Sequence, residues 1–563
     1  MKKPTLLTAA LLALPVVAAA GCAAEDVSND DECLPGDIDC STDSLGGGGD
    51  GKADAFDFKN SPERMGNNLN YRLAELPKKG TRTEPFWKDQ YPDAVGRSEP
   101  AWADTYWPTI EGSHNIRWMG KNVKSPMEKY DAAFNNAAGC TDYPSKQYGA
   151  GAKAEWDRYK QCAGPAAKWQ STTHQGVDKL RDGKDNDNDG VIDDEGPEGD
   201  VDGLASWWGT CHAWAPAAMM VPEPLRDVTI NGVTFSVGDI KALIQNVFDR
   251  TDAIMVGGRC NLKEIKHSVT GSANDECADL NPGALHVVMT NFLGIAQLPL
   301  VEDRTANFEI WNQPVVGYEV TKQELVTAKQ ANACVGNTGD TWTYNPSAKE
   351  LYETKMTVEY VTESNQTPTP IGFHNHVRRD RMHYILEVNS VGKIVGGRYC
   401  TDSENTHTDF LWAPKGNFSS SNPFVNVAKV KELIAKSVAK DPGGSDGAKV
   451  FTATPALAIP DNNKTGISSD IAASGVTGSP ALVVSVDITH TYRGDLIVEL
   501  HKDGRKVKTL HSRTGGSADD LVQSFNLTAA EVGTAPNGTW TLKVSDVAAI
   551  DTGTLNKWSV EFR

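Results

Sequence analysis

A change of pattern at Asp441-Pro-Gly-Gly-Ser445 divides the chain into two folding units. After it, apolar residues recur at every second position, and an Asp503-Gly504 turn separates two such runs. Strict alternation is the period of a half-buried strand, so segment 448–563 is predicted to be an all-β, jelly-roll-like sandwich. Residues 441–447 are then a linker, and a separate domain precedes it over 56–440.

The N-terminus has the features of an export signal. Met1-Lys-Lys precedes the apolar run 6–20, which is too short for a comfortable transmembrane helix. The small residues before Cys22 resemble a bacterial lipoprotein signal, in which cleavage makes this cysteine the acylated N-terminus. Ala19 departs from that pattern, so simple secretion stays open. We predict a signal peptide over 1–22 and a location at the outer membrane or outside the cell.

Charge restricts the partners. The chain has 563 residues, a formal net charge of -19 and a pI near 5.1, which argues against nucleic acid or an anionic membrane surface as partner. Contact with a membrane is expected only through a lipid on Cys22. The acidic, Gly-rich segment 23–55 cannot bury a core and is predicted to be a flexible tether.

The ten cysteines of an exported chain imply disulfides. If Cys22 carries lipid and Cys211 serves catalysis, an even number remains, as full pairing requires. Sequence does not fix the connectivity. Neighbours along the chain suggest the pairs Cys33–Cys40, Cys140–Cys162, Cys260–Cys277 and Cys334–Cys400.

Cys211 is the candidate nucleophile, because it follows a Gly-Thr turn and opens an Ala-rich segment. A cysteine in the first turn of a helix faces unpaired N–H groups and the positive end of the helix dipole, which stabilise a thiolate and can hold an oxyanion. Burial or a disulfide is the commoner fate of an exported cysteine, and Pro216 should kink the helix. Tryptophans are expected to shield a thioester from water, namely Trp207, Trp208 and Trp214.

The loop 182–195 is predicted to bind a structural calcium ion. Carboxylates at alternate positions, followed by Gly190 at the sharp turn, supply hard oxygen ligands that would repel one another without a cation. Position twelve of the loop is Gly196 and not the Glu of an EF-hand, and the loop resembles those of thrombospondin type 3 repeats. No organic cofactor is expected. The predicted ligands are Asp185, Asp187 and Asp189, with Asp193 or Asp194 completing the shell.

Two further residues complete a candidate triad. His286 lies in the run 283–294, interpreted as a β-strand, and Asp303 precedes a second strand-like segment. Cysteine, histidine and carboxylate in this order supply the nucleophile, the base and the orienting group of a cysteine acyl-transfer site. A lone histidine on an apolar strand is usually a core residue, and His383 and His407 are rival candidates for the base.

The remaining patterns predict the scaffold. A capping box at Ser236 opens an amphipathic helix that reaches Phe248, and a second helix covers 427–438. Alternating residues within 356–400 predict antiparallel strands, whereas 56–130 is expected to be irregular, with short helices.

Several segments together resemble the transglutaminase elicitor family, which is known from oomycete cell-wall transglutaminases and is also found in bacteria. They are Ser125-Pro-Met-Glu-Lys-Tyr130, Trp208-Gly-Thr-Cys211-His-Ala-Trp-Ala-Pro-Ala, Gly283-Ala-Leu-His286, Val301-Glu-Asp303 and Trp311-Asn-Gln-Pro314. The resemblance implies an α+β, papain/transglutaminase-like catalytic domain. The last segment is similar to the P domain of proprotein convertases, for example in His490-Thr-Tyr-Arg-Gly-Asp495, although no subtilase motifs accompany it.

The expected function is that of an exported transglutaminase-type acyltransferase. The Cys211 thiolate, deprotonated by His286 with Asp303 as orienting group, would attack a protein glutamine, and a lysine amine would resolve the thioester. A cysteine peptidase or deamidase with the same triad, and a non-catalytic surface assembly protein, are the alternatives. The expected partners are proteins that bear glutamine and lysine, and not nucleic acid.

Overall fold

A computed structural model describes residues 55–56, 59–82, 85–91, 94, 100–196, 199–259, 280–404, 406–439, 449–477 and 480–562. Within these ranges no helix combines the length and the apolar character that a bilayer crossing requires. The predicted signal peptide with Cys22, the tether up to residue 54 and the linker 441–447 lie outside the described residues. The same is true of Cys33, Cys40, Cys260 and Cys277.

Helices surround the sheet of the first domain. They are α1 (Pro126–Phe134), α2 (Ala152–Cys162), α3 (Pro165–Gln170), α4 (Cys211–Met220), α5 (Val237–Asn246), α6 (Pro282–Met289), α7 (Ala328–Cys334) and α8 (Val427–Val438). Ser125 and Ser236 begin α1 and α5 with capping boxes, since each side chain accepts from the N–H three residues on. The helices predicted after Ser236 and over 427–438 are confirmed. The region before α1 is largely irregular, with short 3-10 turns, as predicted.

An antiparallel sheet forms the centre of this domain, and a small separate hairpin accompanies it. The strands are β1 (Lys79–Thr81), the hairpin β2 (Val228–Ile230) and β3 (Val233–Phe235), β4 (Ala253–Gly257), β5 (Val301–Asp303), β6 (Asn312–Val326), β7 (Glu350–Val361), β8 (Val377–Val388), β9 (Ile394–Tyr399) and β10 (Phe410–Pro414). Their order in the sheet is β4-β10-β5-β6-β7-β8-β9, with β1 also paired to β6. The strands predicted within 356–400 are confirmed as β7, β8 and β9.

The two faces of this sheet bury different helices. Trp412 of β10 belongs to the core that contains α4 and α5, whereas its neighbour Leu411 belongs to the core that contains α6. Adjacent residues of a strand point to opposite faces, and Val315 and Val316 of β6 divide in the same way. Helices α4 and α6 therefore lie on opposite sides of the sheet.

The run 283–294 is helical, so its interpretation as a strand is wrong. Pro282 occupies the first turn of α6, the Asn281 side chain accepts from the Gly283 N–H, and π-helical turns continue over Thr290–Ala296. Every residue of α6 is buried. A helix without a polar face shows no amphipathic period, and a run rich in β-branched residues then reads as a strand.

The described residues of the C-terminal domain form strands with one short α-helix and one 3-10 turn, which confirms the predicted all-β class. Its elements are β11 (Lys449–Ala453), β12 (Leu457–Ile459), β13 (Asn463–Ala473), β14 (Leu482–His490), β15 (Leu496–Lys502), β16 (Arg505–Ser512), β17 (Leu521–Leu527), α9 (Ala529–Val532), β18 (Gly538–Asp546) and β19 (Gly553–Phe562). One sheet has the order β11-β19-β14-β17, with β12 also on β19, and the other has β13-β18-β15-β16. Asp503 and Gly504 form the predicted turn, with φ of 48° and 78°.

The two domains meet at β8. The Arg379 guanidinium lies 2.8 Å from Glu359 of β7, 3.0 Å from Asp520 and 3.5 Å from Asp487 of β14. Asn375 exchanges hydrogen bonds with the backbone of Ser524, accepting from its N–H and donating to its carbonyl. Arg381 adds a further ion pair, 3.6 Å from Asp519, so two cations of the first domain face three carboxylates of the sandwich.

Two of the predicted disulfides are confirmed. Cys140 is bonded to Cys162, and Cys334 is bonded to Cys400.

Candidate active site

Cys211 is the first residue of α4 and is fully buried. The preceding Thr210 fixes the start of the helix, because its N–H donates to the Tyr106 carbonyl at 2.5 Å and its hydroxyl donates to Gln245 at 2.7 Å. Gly209 is required by packing, since a Cβ there would collide with the carbonyl oxygen of Tyr106. The helix continues through Pro216 to Met220. The cysteine thus occupies the predicted first helical turn, where backbone N–H groups lack intrahelical acceptors.

The sulfur of Cys211 faces the loop that enters β6. The Asn312 side-chain nitrogen lies 3.5 Å from Sγ, and the Ile310 carbonyl oxygen lies 3.7 Å from it. The Trp412 indole N–H donates to the Asn312 oxygen at 2.7 Å. Because this bond fixes the oxygen end of the amide, the nitrogen end must point towards the sulfur. Asn312 and Trp412 are functional candidates that the sequence reasoning missed, although Asn312 lies in a segment that carried the family resemblance.

Asp303 is brought to the same face of the sheet. It is the residue of β5 directly opposite Asn312 of β6, and directly opposed side chains lie close together. Its Oδ1 accepts from the Trp311 N–H at 2.8 Å, and within the described residues its buried Oδ2 has no hydrogen-bond partner. Burial and the negative charge of Asp409 raise the pKa of Asp303 well above its usual range. The site therefore contains a carboxyl group with one unused oxygen.

His286 does not reach Cys211. It lies on α6, in the core on the opposite face of the sheet, and its Nδ1 is 2.9 Å from the Tyr384 hydroxyl. Burial lowers the pKa of His286 to about 3. The predicted pairing of this imidazole with the thiol is thus contradicted by the sheet that separates them.

The rival histidines are also elsewhere. His407 stacks on Tyr399, with ring centroids 4.3 Å apart, and His383 lies beside the Cys334–Cys400 disulfide. Two histidines do flank the start of α4. His114 Nε2 lies 3.4 Å from the Thr210 hydroxyl, and His212 Nε2 lies 3.0 Å from Asp249.

Cys211 is itself disulfide-bonded, which corrects the expectation that it stays unpaired. The other described cysteines pair with one another. A disulfide is the commoner fate of a cysteine in an exported chain. The thiol must be released before it can act as a nucleophile.

The three candidate tryptophans have different surroundings. Trp207 makes an edge-on contact with Phe308 of the loop that carries Ile310, with ring centroids 6.0 Å apart. The Arg259 guanidinium lies 5.6 Å from the centroid of the Trp207 ring. Trp208 packs against Trp207 at 6.2 Å. Trp214 is fully buried, and its indole N–H donates to the Trp102 carbonyl at 3.1 Å. Trp207 therefore packs against the loop that carries Ile310, whereas Trp214 is a core residue of α4.

The acidic loop brings carboxylates together in two groups. The ligand oxygens of Asp185, Asp187 and Asp189 lie within 4.8 Å of one another, and Asp193 converges instead with Asp182 and Asp202. Asp194 belongs to neither group, although its Oδ1 is buried without a hydrogen-bond partner among the described residues. This arrangement of hard oxygen donors fits a calcium ion.

The chain is similar to several characterised proteins over part of its length. It is 46% identical over 114 residues to leupeptin-inactivating enzyme 1 of Streptomyces exfoliatus, which is 20% of this chain and 26% of that protein. It is 39% identical over 117 residues to the transglutaminase-activating metalloprotease of Streptomyces mobaraensis, or 21% of this chain and 15% of that protein. The chain thus spans about a quarter or less of the length of these relatives.

Among solved structures, the GP42 transglutaminase of Phytophthora sojae is 27% identical and aligns with 67% of this chain and 95% of its own, with a TM-score of 0.47. The proprotein convertase P-domain model matches residues 480–562. The transglutaminase elicitor model matches residues 80–440, the region that holds Cys211, Asn312 and Asp303. Since this match covers well over half of the sequence, the chain belongs to the transglutaminase elicitor family.

Proposed function

We propose that the protein is an exported acyltransferase that forms a Cys211 thioester with a protein glutamine and passes the acyl group to a primary amine. The observation that carries the proposal is the contact between Asn312 and Cys211, 3.5 Å from amide nitrogen to sulfur, at the start of a buried helix. Family membership supports the same chemistry. We assign the first domain a papain/transglutaminase-like arrangement and the second a jelly-roll-like one on the same grounds.

The reaction begins with release of the sulfur from its disulfide, which a thiol reductant achieves by exchange. Asp303 then accepts the thiol proton, and the thiolate attacks the carboxamide carbon. The C–N bond breaks, and ammonia leaves with the proton that Asp303 held. An amine next attacks the thioester carbon, the C–S bond breaks and the sulfur is regenerated. Each bond that forms is matched by one that breaks, and no electrons are transferred after the initial reduction.

Asp303 is suited to the proton transfer by its surroundings. Its pKa is raised by burial and by Asp409, which makes its ionised form a stronger base than an ordinary aspartate, and the positive charge of Arg259 near both carboxyl groups favours that ionised form. Its partner-free Oδ2 is the atom that would accept the proton. In this proposal Asp303 takes the role of base that the sequence had assigned to His286.

Asn312 and the first turn of α4 are suited to the oxyanion. The amide N–H of Asn312 is held towards the sulfur by Trp412, and the N–H groups of a first helical turn have no intrahelical acceptors. Preorganised donors of this kind stabilise the negative oxygen of a tetrahedral intermediate. Trp207 and Trp208 would keep water from the thioester, which favours an amine over water as acceptor.

The acidic loop would hold calcium through Asp185, Asp187 and Asp189, with Asp194 as a further candidate because of its unpartnered buried oxygen. A calcium ion there would neutralise carboxylates that otherwise repel one another, and its role would be structural. Asp202 connects the loop to the segment before Cys211. Its carboxylate accepts a hydrogen bond from the Asn186 N–H of the loop at 2.9 Å. Bound calcium would thus brace the chain that positions the nucleophile.

Export is part of the proposal. It rests on the signal pattern of residues 1–22 and on the disulfides Cys140–Cys162 and Cys334–Cys400, which are typical of oxidising compartments. Cys22 is the proposed lipid attachment site, and the substrates would be proteins that expose glutamine and lysine.

The test is incorporation of a fluorescent primary amine into a glutamine-rich protein by the full chain, with and without a thiol reductant. We expect incorporation only after reduction, and none with Cys211→Ala. Ammonia release without incorporation would instead assign a deamidase or peptidase. Absence of both reactions from the reduced, folded enzyme would contradict a catalytic role and favour a surface assembly protein.

A further inference from the structure

The Cys334–Cys400 disulfide lies beside an imidazole and two carboxylates, in a small hydrophobic cluster separate from the core of Cys211. Cys334 ends α7, and Cys400 follows β9. The Nε2 atom of His383, on β8, lies 3.4 Å from the sulfur of Cys334. Both sulfurs and one nitrogen of His383 lie within 4.8 Å of one another. A titratable group is thus in contact with a disulfide that no part of the acyl transfer uses.

Both ring nitrogens of His383 face carboxylates. Nδ1 lies 2.9 Å from Asp402 and Nε2 lies 3.0 Å from Glu353. A carboxylate only accepts hydrogen bonds, so each ring nitrogen is placed where it can donate to a carboxylate. The backbone holds this ring in place, because the His383 N–H donates to the Ser403 hydroxyl and the Cys400 N–H donates to the His383 carbonyl, both at 2.9 Å.

We propose that Cys334–Cys400 is a thiol–disulfide exchange site that accepts electrons from a dithiol, with His383 as the proton donor. A positive charge beside a disulfide attracts an approaching thiolate and stabilises the thiolate that departs. Cys334 is the partly exposed sulfur, whereas Cys400 is 1% exposed, so the incoming thiolate attacks Cys334.

The exchange takes place in two steps. A dithiol thiolate bonds to the Cys334 sulfur, the S–S bond breaks, and Cys400 leaves as a thiolate that takes the Nε2 proton of His383. The second thiol of the reagent, as its thiolate, attacks the reagent sulfur of the mixed disulfide and displaces Cys334 as a thiolate, which pairs with the reprotonated imidazolium. Two electrons and one proton pass from the dithiol to the protein, the second proton of the dithiol goes to solvent, and the dithiol becomes a cyclic disulfide.

The Cys140–Cys162 disulfide is an internal reference because carbonyl oxygens surround its sulfurs. The Tyr159 carbonyl lies 3.1 Å from the sulfur of Cys140 and 3.5 Å from that of Cys162, and the Arg158 carbonyl lies 3.7 Å from Cys162. Negative oxygens disfavour a departing thiolate, which is the reverse of the effect of His383. The ratio of the two reduction rates within one molecule cancels differences in reagent, temperature and thiolate concentration.

The experiment is timed reduction of the folded full chain by dithiothreitol at pH 7, with acid quenching, differential alkylation and mass spectrometry of the cysteine peptides. We expect Cys334–Cys400 to be reduced at least about tenfold faster than Cys140–Cys162, and the ratio to fall by about tenfold in His383→Gln. His501→Gln, a histidine of β15 in the other domain, is the matched control and should leave the ratio unchanged.

A second variant keeps the test decisive if His383→Gln fails to fold. Asp402→Asn changes a side chain that is 61% exposed, and it should lower the ratio because the ring loses one carboxylate partner. A ratio that is unchanged in the folded variants would overturn the proposal, since His383 would then have no part in the reactivity of Cys334.

Discussion

Asn312 contacts the sulfur of Cys211 through one end of its amide because Trp412 occupies the other end. An asparagine that rotated freely would present its oxygen to the sulfur half of the time, and an oxygen would repel both a thiolate and an oxyanion. The indole N–H can only donate, so it selects the oxygen and leaves the N–H groups for the reacting atoms. The pair therefore supplies a donor that is oriented before substrate binds.

Asn312→Ala is expected to lower kcat/KM for amine incorporation by about a hundredfold or more, as loss of an oxyanion donor usually does. Trp412→Phe should cost less, because the amide stays but loses its fixed orientation. Steady-state kinetics of the reduced enzyme measure both effects. Asn365→Ala, at an exposed position, is the control and should be neutral. Unchanged kinetics in Asn312→Ala would remove Asn312 from the machinery, and a fall in melting temperature alone would indicate a structural role.

The sequence singled out Cys211 and Asp303 as candidates, because a cysteine after a Gly-Thr turn and a carboxylate at a strand end are chemically conspicuous. It missed Asn312, since an amide at the start of an apolar strand carries no signal until the fold turns it towards the sulfur. It misplaced His286 for a related reason. Spacing along the chain does not tell which face of a sheet a helix covers, and α6 covers the face opposite to α4. The disulfide of Cys211 could not be derived either, because connectivity depends on the folded chain.

Helices α6 and α8 show what the local pattern does determine. The predicted and observed bounds of α8 agree, because half of its surface is polar and its apolar residues recur with the helical period. In α6 every residue is buried, including His286. Burial keeps the imidazole on such a helix neutral, so the folded protein should lose stability in acid.

The buried His286 should contribute to acid destabilisation. Its pKa falls from 6.5 to about 3 on folding, so between these pH values the unfolded chain binds a proton that the folded chain does not bind. Its stabilising contribution is therefore present above pH 6.5 and is lost as the pH falls towards 3, by about 1.4 kcal/mol per pH unit. In His286→Leu, the unfolding free energy should therefore fall less steeply between pH 6.5 and pH 5, with a slope smaller by that amount. Denaturant titrations at several pH values measure it.

Tyr384→Phe is the matched control, because it removes the hydroxyl that contacts Nδ1 but keeps the imidazole. It should change the unfolding free energy by the same amount at every pH and leave its slope against pH as in the wild type. Identical slopes for wild type and His286→Leu would show that this histidine already carries a proton in the folded state.

The acidic loop is the second element with a testable dependence on solution conditions. Chelation should lower the melting temperature, because an ion that binds only the folded state stabilises it in proportion to the logarithm of its concentration. Asp187→Ala should lower it without chelator, since this carboxylate converges with Asp185 and Asp189. Thermal scans with EDTA, and with calcium added back, measure both effects. Asp142→Ala, at an exposed position outside the loop, is the control. A melting temperature that does not change when EDTA is added would contradict the metal site.

The two domains are joined in the folded molecule by Arg379, which is 18% exposed and is surrounded by Glu359, Asp487 and Asp520. All the residues proposed for acyl transfer precede the linker, so a chain that ends at Gly444 should remain soluble and active once reduced. It should nevertheless be less stable than the full chain, because Arg379 then keeps only one of its carboxylates. The sandwich is thus expected to stabilise the catalytic domain without contributing to the reaction.

Arg379→Ala tests this coupling in the intact chain. Removing the guanidinium leaves Asp487 and Asp520 as partly buried carboxylates without their cation, and breaking such a pair costs about 2–4 kcal/mol. Calorimetry should show the unfolding of the two domains moving apart, with the sandwich transition shifted to lower temperature. Arg378→Ala is the matched control, because that exposed neighbour donates only to the backbone carbonyls of Asn375 and Val377. If both variants unfold like the wild type, Arg379 does not couple the domains, and the remaining contacts, such as Asn375 with Ser524, must do so. The truncated chain should then lose only the stability that those remaining contacts supply.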